Sequence, residues 1–338
     1  MGKEIGMQKL KSIDDIAKIA GVSKSTVSRA LNDSPLVGVE TKARIVAIAK
    51  DHEFTPSAIA RNLSTRKSRT IAFVNHAYCK SDGELSDIFS VEIMGGVTLG
   101  LAELGYDMLI AHIRPGQTDW VSGYLDTGKV DGFILVTSES KHDHVDLLLA
   151  SGAPFIAWGF GGNRYCSVAG DDARGGALAA ERLASSGRRR IGFIGGPRVE
   201  TEVKERFRGF SETLGEAGID SRSLATHCDY SSHGAEREMN ALLKKDPRID
   251  AVFVASDIMA IAAMKAIKAS GRKIPDDVAV IGYDDLTVSS YVTPGLTTIS
   301  QNVPGAGRLL ARNLVAYLEK GVVNTTTVPV HLVERDSA

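Results

Sequence analysis

Cysteine is scarce in these 338 residues: Cys79, Cys166 and Cys228 are odd in number and far apart. They fit no zinc-ligand spacing and no disulfide framework, which points to a reducing compartment, the cytoplasm. Long apolar runs are missing as well. No stretch reaches the roughly 18 consecutive apolar residues of a membrane helix. Residues 1–11 are polar and lack the apolar centre of an export signal. Catalytic signatures are equally thin. There is no GxSxG nucleophile elbow, and no pair of carboxylates can be assigned to acid–base work. Gly195, Gly196 and Pro197 lack the Lys-Ser/Thr that completes a phosphate loop, and the glycines at 159–162 lack GxGxxG spacing and a following helix. His142, Asp143 and His144 stand together, but adjacent residues of a helix point apart. The trio reads as a solvated face, so no metal and no cofactor are expected.

Net charge is small too, −1 overall, and this conceals an asymmetry. Residues 1–70 hold 13 Lys/Arg against 7 Asp/Glu, whereas the remainder holds 27 against 34. A basic head on an acidic body suits a polyanion-binding module joined to something else. At 43% hydrophobic and 24% charged residues the chain is an ordinary globular one, long enough for two or three domains.

Residues 12–53 read as three short helices. Ser12 with Asp15 three residues on resembles a capping box, and Ile13, Ile16, Ala17 and Ala20 follow at helical spacing. Gly21 breaks that helix. Ser23 can cap a second with Val27, Ala30 and Leu31 inward, and a third starts near Glu40. Pro56 suits the first turn of a short fourth helix ending near Leu63, and 64–69 is a basic linker. Ala17, Gly21 and Val27 carry the functional signal. A helix-turn-helix needs a small residue where its helices meet, a turn residue tolerant of left-handed backbone, and a packing residue in the second helix. That helix must present polar residues near its N-terminus to the DNA major groove. Lys24, Ser25 and Thr26 do so, with Arg29 one turn later. Lys and Arg can donate to guanine O6 and N7, while Thr26 and Ser28 suit phosphate.

Beyond Thr70 short apolar runs alternate with amphipathic helices. Strands are predicted at 71–75, 107–113, 132–136, 155–158, 190–195, 224–229, 251–255 and 278–283, with a last helix at 304–320 and a final strand at 327–333. Two strand–helix series imply two lobes, each a doubly wound parallel sheet. Ligands of such folds bind between lobes, beyond the carboxyl ends of strands. Polar residues fall at such ends: Asp229 and Tyr230, Ser256 and Asp257, Asp284 and Asp285. Arg206 follows the Gly-Gly-Pro turn on a helix, and Phe89 and Trp158 offer apolar surface to a sugar face. For Trp158 and Phe160, core packing is the competing reading.

The run IDDIAKIAGVSKSTVSRALN, followed by FTPSAIARNL, resembles the head and hinge helix of the lactose-repressor/galactose-repressor family. KVDGFILV, RRRIGFIGGP, ERFRGF, FVASDIMA, VAVIGYDD and LTTISQN extend the resemblance over nearly the whole chain. It implies an all-α helix-turn-helix domain joined to a two-lobed α/β domain like the periplasmic binding proteins. The expected division is a head at 12–53, a hinge helix and linker at 54–68, and an effector-binding and dimerisation domain at 69–338. Its N-lobe would take 69–159 and 302–325, its C-lobe 160–300 and 326–336. Lys24, Ser25 and Arg29 fall on the family's base-reading positions. Ser57, Ala60 and Leu63 fall on its hinge contacts, Leu63 as a minor-groove wedge. Gly38 stands where the family often has Ser. Arg206 and Asp284 fall on effector-binding positions, Phe89 and Tyr230 on cleft aromatics, and Ser256 stands where Asn is frequent. The implied function is a repressor that binds inverted-repeat operator DNA as a homodimer or higher assembly under control of a small-molecule effector. A sugar or sugar derivative is the expected effector. An exported sugar-binding protein would need a signal peptide and no basic head. An α/β enzyme would need a nucleophile or phosphate loop.

Overall fold

A computed structural model describes residues 12–31, 33–54, 67–75, 88–113, 116–137, 143–162, 164–322 and 324–338. The chain divides into two compact units, Met1–Ser68 and Arg69–Ala338.

The first unit holds helices α1 (Ile13–Ala20), α2 (Lys24–Leu31) and α3 (Val39–Asp51). Ser12 caps α1: its Oγ accepts from the Asp15 N–H and donates to the Asp15 carboxylate. Gly21 closes α1 with φ +66°, a left-handed turn that glycine adopts without steric cost. The Ser23 Oγ accepts from the Thr26 N–H and so caps α2. Gly38 precedes α3 with no side-chain cap. Ile16, Ala17, Ala20, Val27, Ala30, Ile45 and Ala49 form the buried core of this unit. The predicted fourth helix at 56–63 lies outside the described residues.

The second unit contains two six-stranded sheets. In chain order its elements are β1 (Thr70–Asn75), α4 (Ile88–Glu103), β2 (Asp107–Ala111), α5 (Trp120–Leu125), β3 (Gly132–Val136), α6 (Asp143–Ser151), β4 (Phe155–Trp158) and β5 (Ser167–Gly170). Then follow α7 (Asp172–Ser185), β6 (Ile191–Gly195), α8 (Thr201–Glu216), β7 (Ala225–His227), α9 (Ser232–Lys245), β8 (Ala251–Val254), α10 (Asp257–Ala269) and β9 (Ala279–Asp284). The chain closes with β10 (Thr297–Ser300), α11 (Val303–Lys320), β11 (Thr326–Val328) and β12 (His331–Val333). The first sheet has the order β11-β5-β4-β3-β1-β2, the second β12-β10-β9-β8-β6-β7. All pairings are parallel except β10 with β12. Each sheet is covered on both faces by apolar clusters, as a parallel sheet requires.

Three features depart from the sequence reading. The lobe boundary expected at 159/160 is displaced, because β5 pairs with β4 and so belongs to the first sheet. The single final strand is two: β11 joins the first sheet and β12 the second. Both β5 and β11 are short and rich in small or polar residues, so neither shows an apolar run. His144 does not lie on a solvated face: it is buried, its ring 5.6 Å from that of Trp120. Among the described residues no group of His, Cys, Asp or Glu is placed to hold a metal ion, and no helix is long and apolar enough to cross a membrane.

The chain passes between the lobes three times, at 170–172, 300–303 and 328–331. The first and third passages are stitched together where the Asp171 N–H donates to the Val328 carbonyl at 3.1 Å. Within each lobe one helix pair packs unusually closely. A Cβ on Gly176 of α7 would stand 1.9 Å from the Arg206 carbonyl oxygen, and one on Gly209 of α8 1.9 Å from that of Ala173. In the first lobe Gly96 of α4 and Gly307 of α11 give the same closeness.

Candidate nucleic-acid interface and ligand cleft

On α2, Val27 and Ala30 face the core, leaving Lys24, Ser25 and Arg29 exposed and Thr26 and Ser28 half-buried. This is the disposition expected of a recognition helix. Lys24 Nζ lies 2.5 Å from Asp14 Oδ2, and both side chains are exposed. Such a surface pair is worth only about 0–1 kcal/mol, so it does not lock Lys24 in place. The hydroxyls of Ser25 and Thr26 both lie 2.8 Å from that of Ser23, which gathers them at the amino end of the helix. Ser57, Ala60 and Leu63 lie outside the described residues.

In the second unit residues at or just beyond the carboxyl ends of β4 and β9 come together. Trp158, the last residue of β4, belongs to one apolar cluster with Leu286, two residues beyond β9; Phe89, Ile258 and Val288 pack against it. The Thr287 N–H donates to Glu92 Oε1 of α4 at 2.8 Å, a hydrogen bond from one lobe to the other. Phe89 and Trp158 stack at 5.8 Å and 48°. Trp158 is 8% exposed and so serves the core as well as the cleft wall, whereas Phe160 is exposed.

Arg206 anchors the polar side of the cleft. Its Nε donates to Asp172 Oδ1 at 2.8 Å, its Nη1 to the Ala255 carbonyl at 2.7 Å, and its guanidinium lies 3.7 Å from the ring centre of Tyr283. The Tyr283 hydroxyl donates to the same Asp172 oxygen. Burial alone would lower the Arg206 pKa, but Asp172, Tyr283, Tyr230 and Asp284 outweigh it and hold the guanidinium charged. Asp284 ends β9 with φ +110°, and its Oδ1 accepts from Gln301 Nε2 at 2.6 Å. Gln301 lies in the second passage between the lobes, so the carboxylate at the end of β9 is fastened to that passage. Tyr230, at φ +62°, lays its ring against Gly196, and its hydroxyl donates to Glu202 Oε1 at 3.1 Å. Burial pushes the Glu202 carboxyl up to about 7, with Arg206 pulling against it.

Two expected ligand contacts have other partners. Asp257 is fully buried, and its oxygens accept from the Thr298 hydroxyl, the Ser289 hydroxyl and the Leu286 N–H. It braces the segment that carries Asp284 and does not reach the cleft. Ser256 Oγ accepts from the Met259 N–H and caps α10. Conversely, Asp172, Glu202, Tyr283 and Gln301 belong to the cluster and were not predicted. Glu202 alone left a trace, four residues before Arg206 on the same helix face. The cysteines supply no nucleophile among the described residues: burial pushes the Cys228 thiol up to about 11 and raises that of Cys166.

Residues 12–57 match the lacI family of bacterial regulatory proteins, and residues 180–338 match the periplasmic binding protein-like domain. The chain is 34% identical over 334 residues to the HTH-type transcriptional regulator CelR of Thermobifida fusca, covering 95% of each protein. It is 31% identical over 328 residues to the ribose operon repressor of Haemophilus influenzae, covering 94% of this chain and 95% of that one. The structure of a CelR–cellobiose complex superposes with a TM-score of 0.73 at 31% identity, over 97% of this chain and 100% of that one.

Proposed function

Because the chain belongs to the lacI family of bacterial regulatory proteins, and is therefore a DNA-binding transcriptional regulator and not an enzyme, we propose that it is a repressor whose hold on operator DNA is set by a sugar or sugar derivative bound between its lobes. The observation that carries the proposal is the cluster of Arg206, Asp172, Tyr283, Asp284 and Gln301. It sets buried donors and acceptors beside the carboxyl ends of β5, β9 and β10, and the Phe89–Trp158 pair packs in the apolar cluster that reaches Leu286 just beyond β9. A polyol needs both kinds of partner, since each hydroxyl donates once and accepts as well, and an aromatic pair supplies apolar cover for ring C–H groups. Effector-binding roles are assigned to Arg206, Asp284, Tyr230, Phe89 and Trp158.

Control follows from linkage. A ligand held by both lobes favours one interlobe arrangement, and the Asp284–Gln301 bond ties its site to a hinge strand. DNA affinity then changes by the difference in ligand affinity between the two arrangements. The working species is a homodimer in the cytoplasm, its two heads reading the halves of an inverted repeat. Ile88, Val91 and Leu99 of α4 and Ile110 of β2 are exposed apolar residues of the first lobe and suit the pairing face. Lys24, Ser25 and Arg29 read bases, Thr26 and Ser28 meet phosphate, and Ser57, Ala60 and Leu63 serve the hinge.

The test is selection of bound fragments from genomic DNA, followed by affinity measurement on the selected site and on single-base variants of it. Arg29→Ala is expected to cost about 1–3 kcal/mol on the selected site and to abolish discrimination at one position of each half-site. Equal weakening on every sequence would assign Arg29 to phosphate. Failure to enrich any inverted repeat would overturn the reading.

A further inference from the structure

We propose that Glu202 makes the ligand cleft selective for uncharged polyhydroxy compounds and against their anionic counterparts, an inference that rests on the carbohydrate reading above. Glu202 lies one turn before Arg206 on α8. Its position is fixed through Tyr230. The Tyr230 hydroxyl donates to its Oε1 at 3.1 Å, and Tyr230 is itself pinned over Gly196, where a Cβ would stand 2.3 Å from the ring. Glu202 therefore does not swing freely into solvent as a typical surface carboxylate does.

Charge balance around it is one-sided. Glu202 feels Arg206, Asp172 and Glu200, and Arg206 in turn feels Asp172 and Asp284. One guanidinium thus stands among four carboxyl groups. Two of the five N–H groups of that guanidinium are taken, Nε–H by Asp172 and one Nη1–H by the Ala255 carbonyl, and its positive charge is already paired with Asp172. A neutral ligand can use the carboxylates as acceptors for its hydroxyl protons. A phosphate or carboxylate group offers no proton to those acceptors and adds a like charge where screening is weak. Asp172 is ion-paired to Arg206 and Asp284 accepts from the Gln301 amide, whereas Glu202 accepts from the neutral Tyr230 hydroxyl.

The experiment is calorimetric titration of the full-length protein with pairs of probes that differ by one anionic group: cellobiose and cellobiose 6′-phosphate, lactose and lactose 6′-phosphate, ribose and ribose 5-phosphate. For whichever neutral probe binds, its anion is expected to bind about tenfold or more weakly. Glu202→Gln keeps an acceptor for Tyr230 and removes the charge, so it narrows that gap to about threefold or less while the neutral probe still binds. Glu202→Ser narrows it too and serves if the glutamine variant misfolds. Anions that bind the wild type as tightly as their neutral partners would overturn the inference and leave the carbohydrate reading intact, as would a gap unchanged in both Glu202 variants. If no probe of either kind binds, the carbohydrate reading fails and the inference with it.

Discussion

Asp257 shows how a carboxylate next to a strand end can be consumed by the fold. It follows β8 as a ligand contact would, yet its oxygens hold Thr298, Ser289 and Leu286. Gly282 makes room for it, since a Cβ there would sit 2.3 Å from Asp257 Oδ1. Burial raises its pKa to about 7, more than the three hydrogen bonds lower it. A carboxyl that is harder to ionise when folded stabilises the protein fully below its unfolded value, and that contribution is lost as pH rises through the folded one. Relative to Asp257→Asn, the wild type should therefore lose melting temperature between about pH 4 and pH 7. Melting curves of both proteins across that range check this; a constant difference would show that Asp257 stays ionised. At this scale Arg206, Asp284 and Tyr230 were legible from the sequence, because each follows a recognisable strand or turn. Asp172 and Gln301 were not: their partners lie 34 and 17 residues away and meet them only after the lobe has folded. The positive φ values at Tyr230, Asp284 and Asp285 were equally hidden, since none is glycine.

Elements that bury an unbroken apolar run or a clear amphipathic face could be read from the pattern alone. β3 and β4 fall at the predicted residues, and α1 and α2 at their predicted caps. β10 was missed because Thr-Thr-Ile-Ser looks polar, although all four residues are buried and both threonine hydroxyls are hydrogen-bonded within the lobe. The crossing of α7 and α8 could not be read either, since it depends on two glycines 33 positions apart in different helices. That crossing sets where Arg206 meets Asp172. Gly209→Ala drives a methyl group into the Ala173 carbonyl, so the helices must separate. Overpacking of this kind costs about 1–3 kcal/mol. The variant should melt several degrees lower and bind its sugar more weakly, in parallel. Unchanged sugar affinity despite a lowered melting temperature would detach the helix crossing from the site.

Across the whole molecule, charge and chain order were the most legible features. The basic N-terminal segment contains the helix-turn-helix unit, and the acidic remainder is the two-sheet domain. The lobe boundary was not legible, because the chain crosses three times and two of the returning segments are only three or four residues long in the first sheet. The Asp284–Gln301 hydrogen bond joins the end of β9 to one of those crossings, and the proposed control by a ligand runs through that link.

That coupling is the central claim, and one measurement addresses it directly. Fluorescence anisotropy of a labelled operator would be followed for the full-length wild type and for Asp284→Asn while the effector sugar is titrated. The wild type should change its operator affinity by about tenfold or more, within the usual range of coupling between two sites. The variant should match the wild type without sugar and require about tenfold more sugar for the same response, as loss of a charged hydrogen-bond acceptor implies. A wild type indifferent to sugar, or a variant responding at wild-type concentrations, would contradict the account.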